Sequence, residues 1–126
     1  MPLVRISVRK GRTLPERFAI GDAVHSALIE TCGVPKDDKF QVITEYDAQL
    51  VYDAHYLGIE RSEGVVFVQI FLRKGRTPDQ KRALYKRIAE LAGEGGVRPQ
   101  DVLVTLSEND APDWSFGDGI AQYAKV

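Results

Sequence analysis

Two features of this sequence carry residue types and spacings that could do chemistry. The first is the opening dipeptide Met1-Pro2. An initiator methionine before a small residue such as proline is normally removed. The sequence therefore predicts a mature chain that begins with the secondary amine of Pro2. An α-amino group ordinarily titrates at about 7.7–8, so this nitrogen can serve near neutral pH as a base when neutral or as an acid when cationic. Neighbouring arginines lower its proton affinity and a neighbouring carboxylate raises it. The second feature is a pentapeptide that occurs twice: Arg9-Lys10-Gly11-Arg12-Thr13 returns unchanged as Arg73-Lys74-Gly75-Arg76-Thr77. Its arginines either hold an anion or simply end a strand and stay solvated. The other reactive types point to no site. His25, His55 and Cys32 lack metal-ligand spacing, and no Ser-His-Asp or Cys-His arrangement is identifiable. His25 reads as a packed or surface histidine of a helix, and Cys32 as a small buried side chain.

The flanks of the pentapeptide repeat as well. Leu3–Val8 before the first copy alternates as a strand, and Val65–Leu72 before the second reads as a strand buried on both faces. After each copy a helix starts with a capping box, Thr13 with Glu16 and Thr77 with Gln80, and Pro78 suits the first helical position. The first helix repeats Ile20, Ala23, Val24, Ala27 and Leu28 and stops near Gly33-Val34-Pro35. The second repeats Leu84, Ile88, Leu91 and Ala92 and stops at Gly93 and Gly95-Gly96. Strands Phe40–Tyr46 and Val102–Ser107 follow the helices. The expected fold class is α+β. Two consecutive β-α-β units, pseudo-repeats 1–62 and 63–126 of a single domain, form one four-stranded sheet with two helices on one face.

If the units meet through their first strands, strands one and three lie antiparallel and adjacent. Pro2 then sits beside Arg73-Lys74-Gly75-Arg76, while the first copy of the repeat lands at the far end. Two identical segments acquire unequal surroundings. The helices cover one sheet face, while Val65-Val66-Phe67-Val68 and Ile70-Phe71-Leu72 supply apolar side chains to both, so the second face needs a partner.

Composition sets the remaining bounds. The chain has 126 residues, 44% hydrophobic and 28% charged, with seventeen basic against eighteen acidic groups for a net charge of −1. That balance suits a globular protein and argues against a general nucleic-acid binder. No apolar run approaches the ~20 residues of a membrane helix, so no membrane partner is expected. The lone cysteine fits a reducing, cytoplasmic setting. The segment 73–87 holds seven cations and one acid, Asp79, and most of it reads as a solvated helix face.

Pro2-Leu3-Val4-Arg5-Ile6, the doubled β-α-β pattern and the tail Asp113-Trp114-Ser115-Phe116-Gly117-x-Gly119 together resemble the tautomerase superfamily, whose members use an N-terminal proline in catalysis. The two-repeat length and the tail look most like its malonate semialdehyde decarboxylase group. Gly33-Val34-Pro35 with Asp38, Leu57-Gly58-x-x-Arg61-Ser62 and Glu108-Asn109 extend the match. The resemblance implies that Pro2 is the acid or base, that Asp38 (or its neighbour Asp37) tunes its nitrogen, and that Arg76 binds a substrate carboxylate. The group's pattern has two arginines separated by one residue. Here Arg73 and Arg76 are separated by two residues and Lys74 stands in the expected place, so Arg73 or Lys74 supplies the second cation. Lys74 lacks a planar fork. Trp114, Phe116 and Tyr123 either pin the C-terminal segment or wall the pocket.

The activity so implied is decarboxylation of a small 3-oxo acid such as malonate semialdehyde, with no metal or organic cofactor, in a homotrimer; a dimer would cover the open face equally well. A neutral Pro2 would instead serve a keto–enol tautomerase, or a hydratase or dehalogenase of small unsaturated acids. A reading from another class is a non-catalytic ferredoxin-like binding domain with the same element order.

Overall fold

The computed structural model describes residues 2–124. Its main elements are β1 (Leu3–Arg9), α1 (Leu14–Cys32), β2 (Phe40–Tyr46), β3 (Val66–Arg73), α2 (Pro78–Glu94) and β4 (Val102–Asn109). One four-stranded sheet runs in the order β2-β1-β3-β4. β1 pairs parallel with β2, β3 pairs parallel with β4, and β1 and β3 meet antiparallel at the centre. The expected pseudo-two-fold is present.

Both helices start as their sequences require. The Thr13 hydroxyl accepts from the Glu16 amide at 3.3 Å, and the Glu16 carboxylate accepts from the Thr13 amide at 2.8 Å. Thr77 and Gln80 repeat the exchange at 3.1 and 3.0 Å. Each box satisfies two amides that a helix start otherwise leaves without intrahelical partners. Gly11 and Gly75 take nearly the same left-handed conformation, φ 133° and 131°, which a side chain would resist. In each copy the following turn is tied to the neighbouring strand: the Lys10 amide donates to Tyr46 O and the Lys74 amide to Asn109 O, both at 2.8 Å.

Val4, Ile6 and Val8 of β1 and Val66, Val68, Ile70 and Leu72 of β3 face the helices and are fully buried against Val24, Leu28, Leu84 and Ile88. Burial of each such side chain stabilises the fold by about 1.5–3 kcal/mol relative to exposure. The other face corrects the reading of β3 as covered on both sides. Phe67 and Phe71 are only half-buried and Gln69 is exposed. Phe40, Val42 and Leu103 on the same face are 49%, 45% and 42% exposed. A single chain has two helices, and both are spent on one side. Among the described residues no helix is long and apolar enough to cross a membrane.

Candidate active site

The strand directions bring six chain segments to one end of the sheet: the starts of β1 and β2, the ends of β3 and β4, the end of α1 and the start of α2. Pro2 lies there, buried, one residue before Leu3. Leu3 pairs with Phe40 on one side and Phe71 on the other. Asp38 stands two residues ahead of Phe40, and its side chain is buried at the entry of β2. Asp37 beside it is exposed, so the geometry separates the two aspartates. The turn that carries Asp38 is closed by its own amide, which donates to Pro35 O at 3.0 Å. His25 of α1, also buried, places its Nε2 2.7 Å from Lys36 O in the same turn.

β3 delivers the cations. Arg73 is its last residue and lies on the open face with Phe71. Its guanidinium sits 4.9 Å from the centre of the Tyr123 ring, a cation–π arrangement. Lys74 points the other way, 3.5 Å from an Asp110 carboxylate in an exposed pair. Arg76 has a structural task as well as a place in the site. Its Nη1 donates to Arg73 O at 3.2 Å and its Nη2 to Cys32 O at 3.3 Å. The second contact satisfies a carbonyl at the C-terminal end of α1, where the helix dipole favours a cation. A guanidinium has five N–H donors, so these two bonds leave capacity for a carboxylate.

The C-terminal segment folds back over this end. Trp114 donates through Nε1 to Asn109 Oδ1 at 2.6 Å. Its ring stacks on Phe116 at 5.4 Å with an interplanar angle of 1°. Phe116 meets Tyr123 edge-on at 5.2 Å and Phe40 at 6.2 Å. The loop between is clamped by Gln122, which accepts from the Phe116 amide and donates to Gly117 O, both at 2.9 Å. Trp114, Phe116 and Tyr123 thus form a continuous aromatic band that ends on Arg73. Phe40 belongs to it and has no role in the sequence reading; the available signal was its place opposite Leu3 once the strand order was drawn.

Two family models, both described as tautomerase enzyme, match this chain over residues 38–117 and 2–52. The chain belongs to the tautomerase family. This tautomerase is 41% identical over 124 residues to the probable tautomerase YusQ of Bacillus subtilis (strain 168), covering 97% of this chain and 98% of that one. It is 32% identical over 125 residues to the probable tautomerase YrdN of the same strain, covering 98% and 96%. Among solved structures it is similar to FG41 malonate semialdehyde decarboxylase inhibited by 3-bromopropiolate: TM-score 0.91, 39% identity, 96% of this chain and 93% of that one. A second malonate semialdehyde decarboxylase structure matches with TM-score 0.90 and 33% identity over 96% and 95%. Membership in an enzyme family sets aside the ferredoxin-like binding domain.

The tautomerase chain repeats much of this construction at the opposite end of its sheet. Arg9 lies 5.8 Å from the centre of the Tyr52 ring, as Arg73 lies over Tyr123. Arg12 donates to Gly64 O at 2.7 Å, as Arg76 does to Cys32 O. Asp101, two residues before Leu103, matches Asp38, two before Phe40; Leu103 pairs with Phe67 as Phe40 pairs with Leu3. Asp101 is buried and accepts from the Ser62 amide at 2.8 Å and the Ser62 hydroxyl at 2.7 Å. Composition and spacing gave Asp101 no mark, because its equivalence to Asp38 depends on strand register.

Proposed function

We propose that this tautomerase decarboxylates a small 3-oxo acid such as malonate semialdehyde, with the Pro2 nitrogen as general acid. The observation that carries the reading is the gathering of Pro2, buried Asp38, Arg73 and Arg76 at one end of the sheet under the Trp114–Phe116–Tyr123 band. The 33–39% identity to malonate semialdehyde decarboxylases over nearly the whole chain supports it.

The chemistry follows from the residue types. Arg76, with Arg73 as second cation, binds the substrate carboxylate through charge-assisted hydrogen bonds. Lys74 is the weaker candidate because its ammonium is directed to Asp110. The Asp38 carboxylate favours the cationic form of Pro2. The cation donates a hydrogen bond or proton to the 3-oxo group. The bond between C2 and the carboxylate carbon then breaks, CO2 leaves, and the electron pair enters the enol, which is protonated at carbon to give the aldehyde. The aromatic band limits water at the reacting atoms, which strengthens these electrostatic contacts. No step calls for a metal or organic cofactor.

The names of the two Bacillus relatives favour a second reading, in which neutral Pro2 shuttles a proton between carbon and oxygen of an enol such as phenylenolpyruvate. Assays of the wild type, Pro2→Ala and Arg76→Ala on malonate semialdehyde and phenylenolpyruvate separate the two. Decarboxylation that both substitutions abolish supports the first reading. Tautomerisation with no decarboxylation supports the second. Mass spectrometry must show Met1 removed; its retention blocks the amine and defeats both.

The uncovered sheet face supports a homotrimer in which each chain buries Phe40, Val42 and Leu103 against the next. A fused 4-OT of 24% identity, which shares the fold, is a symmetric trimer. Light scattering should give three times the chain's 14.0 kDa; a monomeric mass would refute the trimer.

A further inference from the structure

A histidine that touches no proposed substrate contact is tied to the turn that carries the site's buried carboxylate. His25 is 8% exposed on α1, and its Nε2 lies 2.7 Å from Lys36 O. A carbonyl oxygen can only accept, so Nε2 carries the proton and donates it. Lys36 is an inner residue of the turn closed by the bond from the Asp38 amide to Pro35 O. The turn leaves α1 through Gly33, which takes the left-handed conformation at φ 68° and donates its amide to Leu28 O. The Val34 amide reaches the same oxygen at 3.4 Å. Backbone bonds thus hold the turn at both ends, and the imidazole holds its middle from the core side. The side chains of Lys36 and Asp37 point to solvent, whereas Asp38 is buried.

We propose that His25 is a positioning residue: its Nε2–H, given to Lys36 O, fixes the turn so that the Asp38 carboxylate is held at the entry of β2 beside Pro2. The inference rests on the reading of Asp38 as the group that tunes the Pro2 nitrogen. Loss of the donor leaves the Lys36 carbonyl turned inward with no partner from α1. The turn then rearranges to satisfy that oxygen, because a part-buried acceptor left without its partner is costly. Asp38, two residues on, moves with it. The other charges close to this end of the sheet are Arg5 on β1, Asp22 and Glu30 on α1, Lys36, Asp37 and Lys39 before β2, Arg73 at the end of β3, Lys74 and Arg76 after it, Asp79 on α2, Glu108 and Asp110 at the end of β4, and Asp113 in the tail. Asp38 alone among these is buried, so its displacement changes the field at Pro2 more than any of them.

The test is a 15N NMR titration of the Pro2 nitrogen in the full mature chain, with kcat and KM on malonate semialdehyde, for wild type, Asp38→Asn, His25→Phe and His25→Gln. His25→Phe keeps a ring and removes the donor; His25→Gln restores a donor of similar reach. The expected result is a Pro2 midpoint lowered by Asp38→Asn, lowered in the same direction but less by His25→Phe, and returned to the wild-type value by His25→Gln. kcat should fall about tenfold in His25→Phe, the size expected for the loss of one part-buried hydrogen bond, with KM little changed. A Pro2 midpoint that shifts in Asp38→Asn and stays put in a folded His25→Phe overturns the inference and leaves the proposed function standing. An unmoved midpoint in Asp38→Asn overturns both. If His25→Phe does not fold, the wild-type imidazole decides: long-range 15N–1H spectra should show the proton on Nε2, and a proton on Nδ1 alone refutes the assignment.

Discussion

At the end of the sheet that holds Pro2, Arg76 ties down the last carbonyl of α1 and Arg73 rests over the Tyr123 ring of the aromatic band. At the opposite end Arg12 ties down Gly64 O and Arg9 rests over Tyr52, in the same five-residue context and the same backbone conformation. Only what surrounds the pentapeptide differs. The near end has Pro2 one residue before β1, and the tail crosses it. The far end has the chain running on through Val65 into β3, and Ser62 fills the carboxylate of Asp101. The two copies therefore differ in their neighbours and not in their own build: the cations by themselves make a well-tied turn, and only one copy shares its sheet end with Pro2.

This contrast can be broken by substitution at equivalent positions. The largest effect is expected for the arginine pair. Arg76→Ala should lower kcat/KM on malonate semialdehyde by about 100-fold or more, the scale of a lost group that binds developing charge. Arg12→Ala should leave kcat/KM unchanged and, by denaturant titration, cost about 1–3 kcal/mol for the Gly64 carbonyl left without its charged donor. Equal losses of activity at the two positions would erase the distinction.

The aspartates come next. Asp38→Asn removes the negative charge that favours the Pro2 cation, so the Pro2-dependent limb of the pH–rate profile should move to lower pH. Asp101→Asn should leave that profile in place and cost about 1–3 kcal/mol, because a buried carboxylate that accepts two Ser62 donors is replaced. The rings follow. Tyr123→Ala should change kcat/KM by about threefold to fivefold, given that a cation–π contact is worth about 0.5–1 kcal/mol where solvent reaches it. Tyr52→Ala should not change it at all.

The smallest effect concerns the helices rather than the sheet ends. Arg87 Nε donates to Glu30 Oε2 at 2.5 Å and holds the Glu30 carboxyl below its ordinary value of 4.5. A lowered folded-state pKa contributes stability above the unfolded value and loses it as pH falls through the folded one. Thermal melts of wild type and Glu30→Gln should differ slightly at pH 7 and converge as the pH falls below 4.5 through the lowered folded-state value; divergence on acidification would contradict the assignment.

Most of the fold was legible because its signals are local. The capping boxes, the left-handed glycines and the 3.6-residue spacing of Ala23, Ala27 and Leu28 act over a few residues, and Phe40–Tyr46 is a strand as read. The pairing of Leu3 with Phe71 followed from the repeat, since two like units meet through like strands. The charged and aromatic residues that meet at the Pro2 end were legible as candidates, and the structure brings them together. The arrangement was not legible where a side chain serves a distant backbone carbonyl: Arg76 with Cys32 O, His25 with Lys36 O and Arg12 with Gly64 O. Every residue offers such a carbonyl, so nothing in the sequence marks the one that will be used. Phe40 escaped for a related reason, because its contact with Phe116 joins the start of a strand to a tail that adds no strand of its own.

That tail has a consequence for how the protein comes into being. The sheet is complete with Asn109, but the aromatic band over its Pro2 end is made by residues 114–123, which leave the ribosome after every strand. A nascent chain therefore finishes its layered core before the rings that cover the Pro2 end are made, so a product cut short after β4 would keep the sheet and leave that end uncovered.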